Sequence, residues 1–174
     1  MGRYTFHFDW VTGLLLLCLG YFGLFLLLTL GVGYFYQQLV YLCIGLILLF
    51  VCSHIDAVVL WWFAPFGYVI GNILLAISYF GPNIRGATRW IQLFGVQLQP
   101  SELAKPLFLL AFAYFIAKYN PRTIRLLPLH FLLFAIPFFL VFRQPDLGSS
   151  LVYGGFWVAM LLAGGLPLII LIGV

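Results

Sequence analysis

Asp9 and Asp56 are separated by 46 residues that include no Asp, Glu, Lys or Arg, and Asp56 and Arg85 by 28 more. A helix of about 20 apolar residues crosses the hydrocarbon of a bilayer, so the first gap holds two membrane spans and the second holds one. Lys105 to Lys118, Arg125 to Arg143 and the 28 residues after Asp146 supply three more apolar stretches. Of the 174 residues, 65% are hydrophobic and 7% charged, against about 25% charged in an ordinary soluble domain. Twelve charges cannot solvate a globule of this size, which excludes a water-soluble fold. Inside lipid the backbone must bond to itself, which leaves helices or closed barrels. The ten-residue alternating segments of a barrel are absent, and Leu-rich runs such as Leu14 to Leu17 and Leu24 to Leu30 read as helix. The expected fold is an all-α polytopic bundle of six spans plus the start of a seventh.

Breakers and caps place the spans near Trp10–Val32, Gln38–Cys52, Ala57–Tyr79, Ser101–Ala117, Leu126–Phe142 and Leu147–Ala163, with Leu168–Val174 opening the seventh. Seven residues cover about a third of a bilayer at 1.5 Å each, so the chain reads as truncated. The first apolar stretch is too long for a signal-peptide core and is expected to be a retained span. With the N-terminus in the cytoplasm, the inner side carries Arg3, Lys118, Arg122 and Arg125 and the outer side Arg85, Arg89, Lys105 and Arg143. That count is a tie. The inner loop of three has no acid beside it, as expected of charges that attract anionic lipid, whereas the outer four lie among Glu102, Asp146 and helix breakers. On that contrast the N-terminus is read as cytoplasmic.

Cys18, Cys43 and Cys52 lie inside the spans without metal or disulfide spacing and read as small apolar residues. His7, His54 and His130 have no partner at metal or triad spacing and read as solvated or hydrogen-bonded. Asp9 and Asp56 read as helix-start residues. The sequence implies no metal site and no nucleic-acid partner.

The chemistry concentrates in three strings: Arg85-Gly86-Ala87-Thr88-Arg89-Trp90-Ile91, then Gln99-Pro100-Ser101-Glu102-Leu103-Ala104-Lys105, then Gln144-Pro145-Asp146-Leu147-Gly148-Ser149. In the second, proline and a hydroxyl precede a helix, so Ser101 is expected to cap it, with Glu102 in the first turn at the positive end of the dipole. The third repeats that grammar at the start of span six. Helices that start on the same side face the same water, so Glu102 and Asp146 are expected at similar depth. Glu102 and Lys105, three apart, share a face. Two readings stand for Glu102, Lys105 and Asp146: a cap plus an ion pair that fixes where two helices begin, or a polar cavity for a charged substrate head. Arg85 and Arg143 read as surface or interface charges.

These strings resemble the signatures of the SEDS family (shape, elongation, division and sporulation proteins, the RodA/FtsW/SpoVE type): GA-x-RWI, then QPSE-x-x-K, then QPDLG followed by Thr or Ser. Their order and their positions relative to the spans match along nearly the whole chain from Asp9. Phe8-Asp9-Trp10 and Gln144-Pro145-Asp146-Leu147-Gly148 look closer to the RodA-like elongation branch, while Ser149 stands where Thr is more usual.

The resemblance implies the N-terminal part of one integral membrane domain, residues 1–174, in a bacterial inner-membrane enzyme that polymerises peptidoglycan glycan strands from lipid II with a class B penicillin-binding protein as partner. The carboxylate implied to act in catalysis belongs to the missing second half, so no catalytic residue is assigned here and the fragment alone is expected to be inactive. Arg89 is then either an interfacial anchor beside Trp90 or a ligand for the lipid pyrophosphate, whose oxygens suit the guanidinium fork. Together Arg89, Glu102, Lys105 and Asp146 are the substrate-cavity candidates. Gln99, Pro100, Ser101, Gln144, Pro145 and Gly148 are the motif residues that shape the helix starts. No cofactor is read; a pyrophosphate is compatible with a divalent cation, for which these residues define no site. Two other functions share these features, a lipid II flippase and a non-catalytic membrane partner of the penicillin-binding protein. Charges inside the helices only near one face of the membrane disfavour the flippase, which needs a polar path to both.

Overall fold

The computed structural model describes residues 10–81, 88–93 and 96–172. The chain divides into two compact units, Met1–Ala57 and Val58–Val174. Arg3, His7, Asp9, Arg85 and the Gly86-Ala87 pair lie outside the described residues.

The first unit is a helical hairpin of α1 (Trp10–Leu30) and α2 (Val32–Ser53). Only Gly31 separates them, at φ 151 and ψ 145, a backbone conformation that side chains disfavour and glycine adopts freely. The second helix thus starts six residues before the expected Gln38. Gln37 is inside it, donating from Nε2 to the Tyr41 hydroxyl one turn on. Gly20 faces Leu42, whose Cδ1 lies 2.9 Å from where a Cβ would stand. The two residues are equidistant from Gly31, as an antiparallel pair demands. No described side chain of α2 is buried, so its apolar surface calls for lipid or protein as solvent.

The second unit holds α3 (Ala57–Ile77), a single 3₁₀ turn (Ser78–Phe80), the strands β1 (Ile91–Leu93) and β2 (Val96–Leu98), α4 (Pro100–Lys118), α5 (Leu127–Phe142), α6 (Leu147–Ala163) and α7 (Leu168–Ile172). Helices occupy all six expected span positions, and α6 has the expected bounds. Among the described residues five helices are long and apolar enough to cross a membrane; α6, at 17 residues, is a shorter apolar helix. Pro65, Pro106 and Pro137 sit inside helices, where neighbours can satisfy the freed carbonyls.

Helical periodicity explains what is buried. On α4 the buried positions Ser101, Ala104, Phe108, Ala111, Phe112 and Ile116 recur every three or four residues, one stripe along one face. Phe108 and Phe112 join Leu75, Ala104, Phe134, Val141 and Tyr153 in the core. On α3 the buried stripe is Ala64, Gly67, Gly71 and Leu75, of which the first three are small enough to let another helix approach. The Phe108 ring fills the space beside Gly71, its nearest carbons 2.9 Å from the point a Cβ would occupy. Gly71→Val is therefore expected to destabilise this unit by ~1–3 kcal/mol through overpacking, seen as a lower thermal unfolding midpoint in detergent, whereas Gly154→Val, with open space around it, is expected to change little.

Polar bonds tie the helix ends together. Gln144, buried between α5 and α6, donates from Nε2 to the Leu75 carbonyl at 3.0 Å, and the Tyr79 hydroxyl donates to the Leu140 carbonyl at 2.6 Å. The ends of α3 and α5 thus meet where α4 and α6 begin. At the opposite end the buried His130 lies 2.8 Å through Nε2 from the Tyr119 carbonyl, and the Trp157 indole donates to the His130 carbonyl. His54 likewise bonds, through Nδ1, to the Phe50 carbonyl.

Candidate functional site

Asp146 is the N-cap of α6. Its Oδ1 accepts from the Ser149 amide at 3.1 Å, satisfying one of the donors a helix start leaves open. Oδ2 accepts from Gln99 Nε2 at 2.6 Å, across from the residue that precedes α4. Arg89 approaches from the segment before β1, with Nη1 4.0 Å from Asp146 Oδ1. One largely buried carboxylate therefore gathers all three motif strings: Arg89 from the first, Gln99 from the second and its own helix start from the third.

Glu102 and Lys105 form the expected pair on α4, 2.6 Å apart. Glu102 lies in the first turn, where a carboxylate complements the helix dipole, and about half its side chain is exposed. Ser149 joins the two acids, since its amide binds Asp146 and its hydroxyl lies 3.5 Å from Glu102 Oε1. The expected common depth of Glu102 and Asp146 is thus a direct adjacency.

The expectation that Ser101 caps α4 is corrected. Gln99 is the N-cap and makes no side-chain capping bond; Pro100 stands at the first helical position, where its missing N–H costs nothing. That puts Ser101 at the second helical position, where it is fully buried and its hydroxyl has no partner among the described residues. The Ser101 carbonyl instead accepts from the Tyr153 hydroxyl at 2.9 Å, pinning the first turn of α4 to the second turn of α6. Sequence reasoning missed Ser149 and Tyr153, although both lie on one helical face with Asp146, three and seven residues on. Tyr153→Phe removes this bond and leaves the ring in place, so it is expected to cost ~1 kcal/mol, measured as a small drop in unfolding midpoint without loss of helicity.

Strands β1 and β2 were not foreseen. They pair antiparallel with Ile91 opposite Leu98 and Gln92 opposite Gln97. This short ribbon links Arg89 to Gln99 and returns the chain so that both reach Asp146. Gly81 packs against the same segment, with the Trp90 carbonyl occupying the space a side chain would need. Arg143 is exposed at the end of α5 and makes no described bond through its side chain to the cluster. Pro145 and Gly148 flank the Asp146 cap, both exposed.

Arg89 has donors that are incompletely used among the described residues of this cluster. Its Nε is buried without a partner among them, and its contact with Asp146 is at ion-pair range, longer than a hydrogen bond. The guanidinium retains donors for another anion while Asp146 holds it in place. Ser101 Oγ and Gln144 Oε1, buried and without a partner among the described residues, add polar capacity to the same end of the unit. The arrangement can position an oxyanion-rich group, with Lys105 as a second cation on the exposed side.

The comparisons with known proteins agree with this geometry. The family model described as cell cycle protein, of the FtsW/RodA/SpoVE type, matches residues 9–174. The probable peptidoglycan glycosyltransferase FtsW of Trichlorobacter lovleyi is 35% identical over 82% of this chain and 39% of its own length. The peptidoglycan glycosyltransferase MrdB of Escherichia coli K12 is 35% identical over 70% of this chain and 33% of its own length. The chain therefore spans between a third and two fifths of these relatives. Among solved structures, the rod shape determining protein RodA of Thermus thermophilus matches with a TM-score of 0.79 and 32% identity over 91% of this chain and 54% of that one. A chain of a peptidoglycan synthase complex that coordinates polymerization and crosslinking matches with a TM-score of 0.75 and 32% identity over 83% of this chain and 44% of that one. With the three strings assembled around Asp146 and the family model covering all of them, the chain belongs to the FtsW/RodA/SpoVE family of polytopic, all-α membrane proteins.

Proposed function

We propose that this chain is the N-terminal part of a SEDS-type peptidoglycan glycosyltransferase of the bacterial inner membrane, and that the Asp146 cluster forms one wall of the cavity that receives lipid II. The observation that carries this reading is the convergence of Arg89, Gln99 and Asp146, with Ser149 linking Asp146 to Glu102. Glycosyl transfer from a lipid pyrophosphate needs cationic or dipolar groups where charge collects on the leaving group. Arg89, held by Asp146 with donors to spare, and Lys105, held by Glu102, meet that need. Asp146 is engaged by a cap, an amide and a cation, and Glu102 by an ammonium, so neither is assigned as the base that activates the acceptor hydroxyl. That group is assigned to the second half of the full-length enzyme. The N-terminus lies in the cytoplasm, which puts the cluster outside, where lipid-linked disaccharide is used. A class B penicillin-binding protein is the partner, by likeness to relatives of the peptidoglycan synthase type.

The test is purified full-length protein with labelled lipid II in proteoliposomes. Glycan polymer formed without any other polymerase supports the proposal. Transbilayer movement of lipid II without polymer would favour the flippase, and binding of the penicillin-binding protein with neither activity would favour a purely structural partner.

A further inference from the structure

The opposite end of the second unit carries a feature that the polymerase reading does not use. A cavity of about 510 Å³ opens between the last turns of α4 and α6. Its walls are the small or flexible side chains of Ala113, Ala117, Met160 and Ala163, and its polar rim is Asn120 and Arg122. On that rim Asn120 Oδ1 accepts from the Arg122 amide at 2.9 Å. The Arg122 guanidinium lies directly over Gly165, whose φ of +90 favours glycine. A cation thus stands at the mouth of an apolar slot.

Its surroundings give the charge that would fill it. Lys118, Arg122 and Arg125 are exposed within one short connection. Among the described residues of this unit the acids are Glu102 and Asp146, both at the far end. Lys118 lies over the faces of Tyr114 and Tyr119, and Trp61 packs against Tyr114 at a tilt of 60° with ring centroids 4.8 Å apart. Trp and Tyr beside exposed Lys and Arg mark the headgroup level of a bilayer, and basic pockets between membrane helices suit anionic headgroups. We propose that this cavity binds one anionic phospholipid, with its phosphate on Arg122 and an acyl chain along the alanine-lined walls. Charge complementarity selects an anionic over a zwitterionic lipid, and the apolar walls select a lipid over free phosphate. The proposal does not depend on the polymerase reading.

The test is native mass spectrometry of the delipidated chain in detergent, titrated separately with phosphatidylglycerol, phosphatidylcholine and inorganic phosphate. One phosphatidylglycerol is expected to remain bound under conditions that strip phosphatidylcholine. Arg122→Ala is expected to weaken phosphatidylglycerol roughly fivefold, the size of one basic residue's attraction to an anionic surface, and Ala163→Leu to weaken it by occupying the slot with the charge retained. Arg125→Ala, outside the lining, is the control for loss of general charge, and unchanged thermal unfolding shows that each variant is folded. Equal retention of both lipids, equal losses in Arg122→Ala and Arg125→Ala, or displacement of phosphatidylglycerol by inorganic phosphate at equal concentration would overturn the proposal.

Discussion

Asp146→Ala in the full-length protein is expected to abolish glycan polymerisation and to lower stability, while Asp146→Asn is expected to keep the fold and still lose at least about tenfold in polymerisation rate. Alanine removes the cap of α6, worth ~1 kcal/mol, and the charged bond to Gln99, worth ~1.5–3 kcal/mol. These losses share one carboxylate and do not simply add. Asparagine separates the two roles. It caps a helix as well as aspartate does. Its amide can face Gln99, which turns its own amide to present oxygen, so the bonds survive and the charge does not. What disappears is the attraction that holds Arg89 in register. Full activity in Asp146→Asn with matching thermal stability would reduce Asp146 to a cap and remove the electrostatic half of the account.

The second large effect is expected at Arg89. Arg89→Ala should reduce turnover of lipid II by on the order of 100-fold, the cost of about 3 kcal/mol of transition-state stabilisation from one well-placed donor group. Arg89→Lys should recover little of it, because a point charge on a flexible stem cannot reproduce a planar fork against adjacent phosphate oxygens. An interfacial anchor beside Trp90 would behave differently, since lysine snorkels to the same level. Near-normal turnover in Arg89→Lys, with normal insertion in the membrane, would identify an anchor.

Much of this was legible because the bilayer limits what a sequence can mean. Charge-free gaps located the helices, and Pro-Asp at positions 145–146 marked the start of α6 to the residue, because a capping side chain and a helix breaker act locally. The beginning of α2 was misplaced for a physical reason. Gln37 looks like a loop residue by polarity, yet it satisfies its amide on Tyr41 within the helix, and a single glycine completes the turn. At α4 the proline carried more information than the serine, since its fixed φ suits the first helical position and displaces Ser101 inward. The ribbon from Ile91 to Leu98 was masked by its brevity, although Ile-Gln-Leu and Val-Gln-Leu around Gly95 have the alternation of a hairpin. Ser149 and Tyr153 became visible only when α4 and α6 were packed, because their importance lies in bonds to residues 47 and 52 positions away.

The central claim is that α4 and α6 open on the external face, so that Glu102 and Asp146 share one water-accessible site. It is tested most directly with single-cysteine variants in which Cys18, Cys43 and Cys52 are replaced by alanine, using a thiol reagent that cannot cross the membrane. Glu102→Cys is expected to react in intact spheroplasts, and Arg125→Cys only after permeabilisation. Reaction of Arg125→Cys in intact spheroplasts with Glu102→Cys protected would invert the topology, and equal reaction of both would contradict the separation of the two ends.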